Sequence, residues 1–247
     1  MTAPTRPAVS VVLPAYRLGE VIAANLVRVA AAFPTDGSVE IVLVDDGSPD
    51  QTYAEARRAA ELLPRVSIVR HESNQGKGEA LFTGTRASTG DLVVFLDADL
   101  DLPPEQVAAL IEQMEGIDVL VGSKRQSMGE GRYPLARRIL SRLFSFFTVG
   151  IFGLPVTETQ TGLKILKRPV LDHVLPQMRI RGYAYDLEML VRAHRAGFVL
   201  KEAAVELGPG ASTAPLRASM LWQMGRDTIR LLWWIARGRL GRSSSRG

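Results

Sequence analysis

Apolar residues in this chain fall into two alternating patterns. Residues 9–13, 39–44, 66–69, 92–96 and 118–121 are short, mostly apolar runs, which read as strands buried on both faces of a sheet, and a further strand is predicted near 199–207. Between them, residues 20–33 space Val21, Ile22, Leu26 and Val29 along one side of a helix, and residues 51–63, 79–88 and 103–114 continue the helical pattern. A last helix is predicted from about 216 to 237. Strands alternating with helices predict an α/β fold, a mostly parallel central sheet flanked by helices, with ligands at the carboxyl ends of the strands.

The strand at 92–96 runs straight into Asp97, Asp99 and Asp101. If that segment stays extended, alternate side chains point the same way and the three carboxylates converge just past the strand end. Clustered carboxylate oxygens suit Mg²⁺ or Mn²⁺, with magnesium usually held by one or two carboxylates plus substrate phosphates. Capping of the helix announced by Pro103, Pro104 and Glu105 would account for one aspartate and leave two. Asp45 and Asp46 end another strand in a turn that Gly47 permits. A carboxylate there can accept hydrogen bonds from a ribose or a uracil imide, or simply organise the turn. Residues 74–78 (NQGKG) put Lys77 and flexible backbone ahead of a helix N-terminus, a setting suited to a diphosphate, although P-loop spacing is missing.

Composition narrows the chemistry. With no cysteine and three histidines in 247 residues, thiolate catalysis, disulfides and Cys/His metal centres drop out. His71, His173 and His194 have no metal-like spacing and read as structural or exposed. The opening MTAPTRPA lacks the apolar core of a signal peptide, so the expected location is cytoplasmic. From Arg217 onward, seven arginines face the single acid Asp227. An anionic membrane surface suits that end better than nucleic acid, since no stacking groove or recognition motif accompanies it. Trp222, Trp233 and Trp234, with Arg226, Arg230 and Arg237, make the last helix an amphipathic candidate for the membrane interface, with packing on the body as the rival reading. Lys124, Arg125, Arg132, Arg137 and Arg138 precede an apolar stretch carrying Phe144, Phe146, Phe147, Ile151 and Phe152. That suits a lipid phosphate beside its tail, while a solvated basic face next to ordinary core explains the same residues.

The ordered set VSVVLPAY, VDDGSPDQT, NQGKGEAL, DADLDLPPE, VGSKR, RRILS, ETQTGLK and YAYDLE resembles the family 2 glycosyltransferases, specifically the polyprenyl-phosphate glycosyltransferases of the dolichyl-phosphate glucose and mannose synthase kind. The resemblance covers residues 9–207 and extends loosely into the last helix. It implies a GT-A type nucleotide-diphosphosugar transferase domain over 8–214 with a membrane-facing insertion near 134–156. A tail at 1–7, an interfacial helix at 215–238 and a disordered basic end at 239–247 complete the expected organisation.

Carried over by residue, the resemblance sets Pro14, Ala15, Tyr16 and Asp46 against the nucleotide, with Asp45, Glu20 and Lys77 nearby. It implies that Asp97 and Asp99 hold the ribose and a Mg or Mn ion, with Asp101 as a second metal ligand. Lys124, Arg125, Arg137 and Arg138 match basic positions for the acceptor phosphate, and Gln160, Asp186 and Glu188 match the sugar-side motifs. Two motifs depart from the family pattern. PxYNE becomes Pro14-Ala15-Tyr16-Arg17-Leu18, with Glu20 the nearest glutamate, and the glycine-serine-lysine element becomes GPGAST at 208–213, so Arg217 is the expected cation over the diphosphate.

The implied activity is inverting transfer of a hexose or N-acetylhexosamine from a nucleotide diphosphate sugar, UDP-linked by preference, to a polyprenyl phosphate at the cytoplasmic face of the cell membrane. GDP-mannose as donor, a soluble acceptor, and a degenerate transferase acting as a scaffold stand as alternatives. A homo-oligomer or a membrane-protein partner stays open. A nicotinamide oxidoreductase is disfavoured because no GxGxxG follows the first strand.

Overall fold

A computed structural model describes residues 7–124, 150–182, 184–208 and 218–237. The chain alternates β1 (Val9–Ala15), α1 (Ile22–Ala31), β2 (Val39–Asp45), α2 (Thr52–Ala60), β3 (Val66–Arg70), α3 (Lys77–Ala87) and β4 (Leu92–Phe95). After α4 (Val107–Ile111), flanked by 3₁₀ turns, come β5 (Val119–Ser123), β6 (Lys164–Lys167), α5 (Arg168–Val174), α6 (Tyr185–Arg195), β7 (Leu200–Ala204) and α7 (Ala218–Ala236). The seven strands form one sheet in the order β3-β2-β1-β4-β6-β5-β7. All pairings are parallel except those of β6, which runs antiparallel to β4 and β5.

Period-two alternation along the strands divides the core into two layers. Val11, Leu13, Ile41, Leu43 and Val94 pack with Ile22, Leu26, Val29 and Val107 on one face. Val12, Val93, Phe95, Val119 and Val121 pack with Leu81, Val170, Leu187 and Leu190 on the other. The strands therefore carry apolar residues on both sides, which is why their sequences read as continuous runs.

The sequence pattern misses β6 and α5. Only Ile165 and Leu166 are fully apolar in β6, and lysines flank them, so four residues leave no periodicity to detect. Its antiparallel direction matters for the site: Phe95 of β4 pairs with Lys164, so the start of β6 lies beside the carboxyl end of β4.

The opposite, amino-terminal edge of the sheet is tied by Glu40. Its Oε1 accepts the Ser10 hydroxyl (2.7 Å) and the Thr89 and Gly90 N–H groups (2.5 and 3.2 Å), joining β2 to β1 and to the entry of β4. Partial burial opposes ionisation, but these donors outweigh it and hold the carboxyl below its ordinary pKa. A depressed acid stabilises the fold above the unfolded-state pKa of about 4.3, and that contribution is lost as pH falls through the lower folded value. Glu40→Gln is expected to cost about 1 kcal/mol in urea unfolding at neutral pH. The difference from wild type should vanish in acid; a constant difference would remove this account.

Candidate active site

Strand termini bring the charged groups together at the carboxyl edge of the sheet. The segment after β4 is not extended: Leu100 takes a left-handed φ of 55°, and the Asp101 N–H donates to Asp99 Oδ1 (3.2 Å). The expected convergence of three carboxylates is therefore corrected. Asp97 turns to Lys77, whose Nζ lies 2.5 Å from its Oδ1, while Asp99 stands exposed at the mouth. Among the described residues no group of three or more His, Asp or Glu is arranged to hold a metal ion.

A second pair lies deeper. Lys164 is buried, with Nζ 2.8 Å from Asp186 Oδ1 and 2.5 Å from the Thr161 carbonyl. Gly162 is required by close approach, because a Cβ there would lie 2.1 Å from Asp97 Oδ2. Burial lowers the pKa of Lys164, with Lys77 adding repulsion and Asp186 resisting. Around Asp97, burial works against the charge, but Lys77, Lys124 and Lys164 outweigh it and depress the pKa. Burial likewise works against the Lys77 ammonium, and Asp97, Asp186 and Asp99 reverse its effect. Asp99 shifts the other way: crowding by surrounding protein and then the charge of Asp97 push its carboxyl above the usual range.

The Lys77 loop is set by residues the sequence reading cast otherwise. Asp46 is buried and accepts the N–H groups of Gln75 (2.9 Å) and Gly76 (2.8 Å) as well as His71 Nδ1 (2.8 Å). This carboxylate holds the glycine loop, a structural task where a nucleotide contact was expected. His71, read from the sequence as structural or exposed, is buried between Asp46 and Thr83. Behind the loop, a Cβ at Gly78 would come within 2.8 Å of the Arg181 carbonyl and 2.7 Å of the Tyr185 ring. Backbone and ring therefore exclude any side chain there.

Asp45 is also fully buried, with Oδ1 accepting the Ser48 N–H (3.2 Å) and Oδ2 3.2 Å from Arg70 Nε. That second oxygen has no hydrogen bond of good geometry, which leaves acceptor capacity beside β1. Arg70, which stacks on Tyr53 at 4.5 Å, was not picked out from sequence. Pro14 and Ala15 end β1, Tyr16 is exposed, and Glu20 is exposed in the turn before α1. The Arg17 to Gly19 N–H groups donate to Ser48, Thr52 and Asp50, so this departure from the family motif is anchored to the neighbouring turn.

Gln160 is half-buried in the segment leading to Lys164, and Glu202 fixes that segment by accepting the Thr157 and Glu158 N–H groups. Glu188 is corrected from a sugar-side role. It is fully buried, its Oε1 receives the Arg192 guanidinium and its Oε2 accepts the N–H groups of Arg179 and Ile180. Arg125, Arg132, Arg137, Arg138, Arg217, Phe144, Phe146 and Phe147, most of the 134–156 insertion and the terminal tails lie outside the described residues. An open groove of about 940 Å³, lined by Phe82, Arg86, Arg168 and Leu175, sits by the start of β4, away from the aspartates.

Residues 10–175 match the glycosyl transferase family 2. The chain is 28% identical over 233 residues to a dolichol-phosphate mannosyltransferase of Pyrococcus furiosus, covering 92% of this chain and 64% of that protein, so it spans less than two thirds of that relative. It is 27% identical over 242 residues to an undecaprenyl-phosphate mannosyltransferase of Micrococcus luteus, covering 93% and 98%. Among solved structures, glucosyl-3-phosphoglycerate synthase from Mycobacterium tuberculosis, in complex with Mn²⁺, UDP and phosphoglyceric acid, superposes with a TM-score of 0.67 at 25% identity, covering 98% and 81%. With a mostly parallel seven-stranded sheet carrying its paired charges at the strand ends and two thirds of its length matched, the chain belongs to glycosyl transferase family 2.

Proposed function

We propose that this protein transfers a hexose or N-acetylhexosamine, with inversion, from a nucleotide diphosphate sugar to a polyprenyl phosphate at the cytoplasmic face of the cell membrane. The observation that carries this reading is the interleaving of Lys77, Asp97, Lys164 and Asp186 at the edge where Asp99 is held above its ordinary pKa. The relatives named for dolichol and undecaprenyl phosphate support the class of acceptor.

In this reading Asp45 Oδ2 meets the base or ribose, alongside Pro14, Ala15 and Tyr16. Asp99 and Asp101, tied by the Asp101 N–H to Asp99 Oδ1, offer hard oxygen donors that suit a divalent cation, with the two carboxylates as its ligands. Bound there, Mg²⁺ or Mn²⁺ supplies electrostatic stabilisation to the departing diphosphate. Lys77 adds to it from the fixed glycine loop. Lys164 holds Asp186 by one oxygen so that the carboxylate can orient a sugar hydroxyl, with Gln160 nearby. A phosphate oxygen of the acceptor attacks the anomeric carbon from the face opposite the nucleotide, and the bond to the diphosphate breaks. Since the second pKa of a phosphate monoester is about 6, the nucleophile is already ionised and needs no strong base. Lys124, whose charge is felt at Asp97, begins the run of cations through Arg125, Arg137 and Arg138 that steers it. Arg217 is proposed as the further cation over the diphosphate.

UDP-glucose is favoured by ETQTGLK, which resembles the dolichyl-phosphate glucose synthases more than the mannose synthases, and by the UDP complex of the structural neighbour. GDP-mannose is the second reading, favoured by the names of the two relatives, and a soluble phosphorylated acceptor the third, favoured by the phosphoglyceric acid in that complex. The deciding experiment is metal-dependent release of nucleoside diphosphate from a panel of UDP- and GDP-sugars, with and without a short polyprenyl phosphate. Release that requires the lipid and one donor is expected. Release with phosphoglycerate in place of the lipid would transfer the assignment to a soluble acceptor, and none with any acceptor would refute the reaction.

A further inference from the structure

One ammonium serves several carboxylates at the carboxyl edge of the sheet. Lys77 Nζ lies 2.5 Å from Asp97 Oδ1, and the charges of Asp186 and Asp99 act on it as well. The proposed function, on which this inference rests, gives the same ammonium a diphosphate oxygen. We propose that Lys77 is an exchangeable counter-ion. It neutralises Asp97 until the diphosphate of the donor draws it away, so the acidic edge is offered to a divalent cation together with the nucleotide and not before it.

Geometry decides which half of the pair moves. Asp97 is held in place: its carbonyl accepts the Leu100 N–H (3.1 Å), and its carboxylate lies so close to Gly162 that a Cβ there would fall 2.1 Å from Oδ2 and 2.5 Å from Cγ. The backbone at Lys77 is held too. Asp46 binds the Gln75 and Gly76 N–H groups in front of it, and the Arg181 carbonyl and Tyr185 ring close on Gly78 behind it. What can move is the lysine side chain, 41% exposed on a flexible four-carbon stem, which swings without opening the loop. Lys164 cannot take that part, because it is buried with Nζ held by both Asp186 and the Thr161 carbonyl. It is the cation that stays. Its charge and that of Lys124 still reach Asp97 once Lys77 has turned, so the carboxylate is not left stranded.

Charge balance supplies the direction of the exchange. With Lys77 paired to Asp97, an ammonium is already seated among the aspartates and repels a divalent cation that arrives alone. A nucleoside diphosphate gives Lys77 an anion to turn to, which relieves that repulsion and adds phosphate oxygens to the carboxylates as ligands. Nucleotide and cation then strengthen each other's binding, and linkage makes the effect reciprocal.

The test is Mn²⁺ binding, followed by the electron paramagnetic resonance of the free ion, for the full chain as wild type and Lys77→Gln. Each is titrated alone and with saturating UDP or GDP, whichever wild type binds more tightly, and urea unfolding checks that the exposed substitution leaves the fold intact. Without nucleotide, Lys77→Gln should bind Mn²⁺ about tenfold more tightly, because the resident charge is gone. With nucleotide that gain should vanish or reverse, since in wild type Lys77 has by then left Asp97 for the diphosphate. The mutual tightening of Mn²⁺ and nucleotide should therefore shrink by about tenfold, a size ordinary for coupled sites. An equal gain with and without nucleotide would make Lys77 a fixed local charge and overturn the exchange. So would no gain in the nucleotide-free variant. Wild type that shows the predicted pattern but transfers no sugar would condemn the reaction and spare the exchange, whereas lipid-dependent transfer with Mn²⁺ binding indifferent to Lys77→Gln would do the reverse.

Discussion

Asp99→Asn is expected to lower turnover on the order of 10³-fold, the loss typical of removing a group that stabilises developing charge. The metal-free fold should survive intact. Asparagine keeps the shape and still accepts the Asp101 N–H, while removing a charge that the surrounding protein and then Asp97 already disfavour. An acid whose folded pKa is raised weakens the fold once pH exceeds its unfolded value of about 3.9, so the substitution should leave the melting temperature unchanged or slightly higher at neutral pH. Nucleoside diphosphate release across a manganese titration, together with metal-free melting, checks both halves. Full activity in the variant would remove the central claim about this edge of the sheet.

Glu188→Ala should produce the largest loss of stability, about 3–5 kcal/mol, because it strands the buried Arg192 guanidinium. It also frees the Arg179 and Ile180 N–H groups, loosening the segment behind the glycine loop. Urea unfolding measures the loss. Glu188→Gln/Arg192→Leu, which removes both charges, should recover a large part of it, since a buried pair often contributes little beyond its apolar replacement. If Glu188 instead handled sugar, the single variant would lose turnover with unfolding unchanged.

Much of the sheet was legible because its strands are buried on both faces, so Val9–Ala15, Val39–Asp45 and Leu92–Phe95 appear as bare apolar runs. Lys77 and Asp97 stood out in sequence as separate candidates, but their pairing at 2.5 Å joins the start of α3 to the end of β4 and has no local signal. Lys164 was quoted only within a motif. Nothing local marks a lysine as buried, and it becomes a partner of Asp186 only after β6 inserts antiparallel beside β4.

The sequence by itself determined the alternation of strands and helices, the edge at which charge gathers and the basic character of the carboxyl end, all of which depend on neighbours in the chain. Tertiary structure decided which of several aspartates do what. Asp46 became an anchor because amides 29 and 30 residues away close on it, and Glu188 became a strut because Arg192 and the 179–180 backbone surround it. A carboxylate's role follows from whether protein donors or open space meet its oxygens, and those donors arrive from distant parts of the chain only once it has folded.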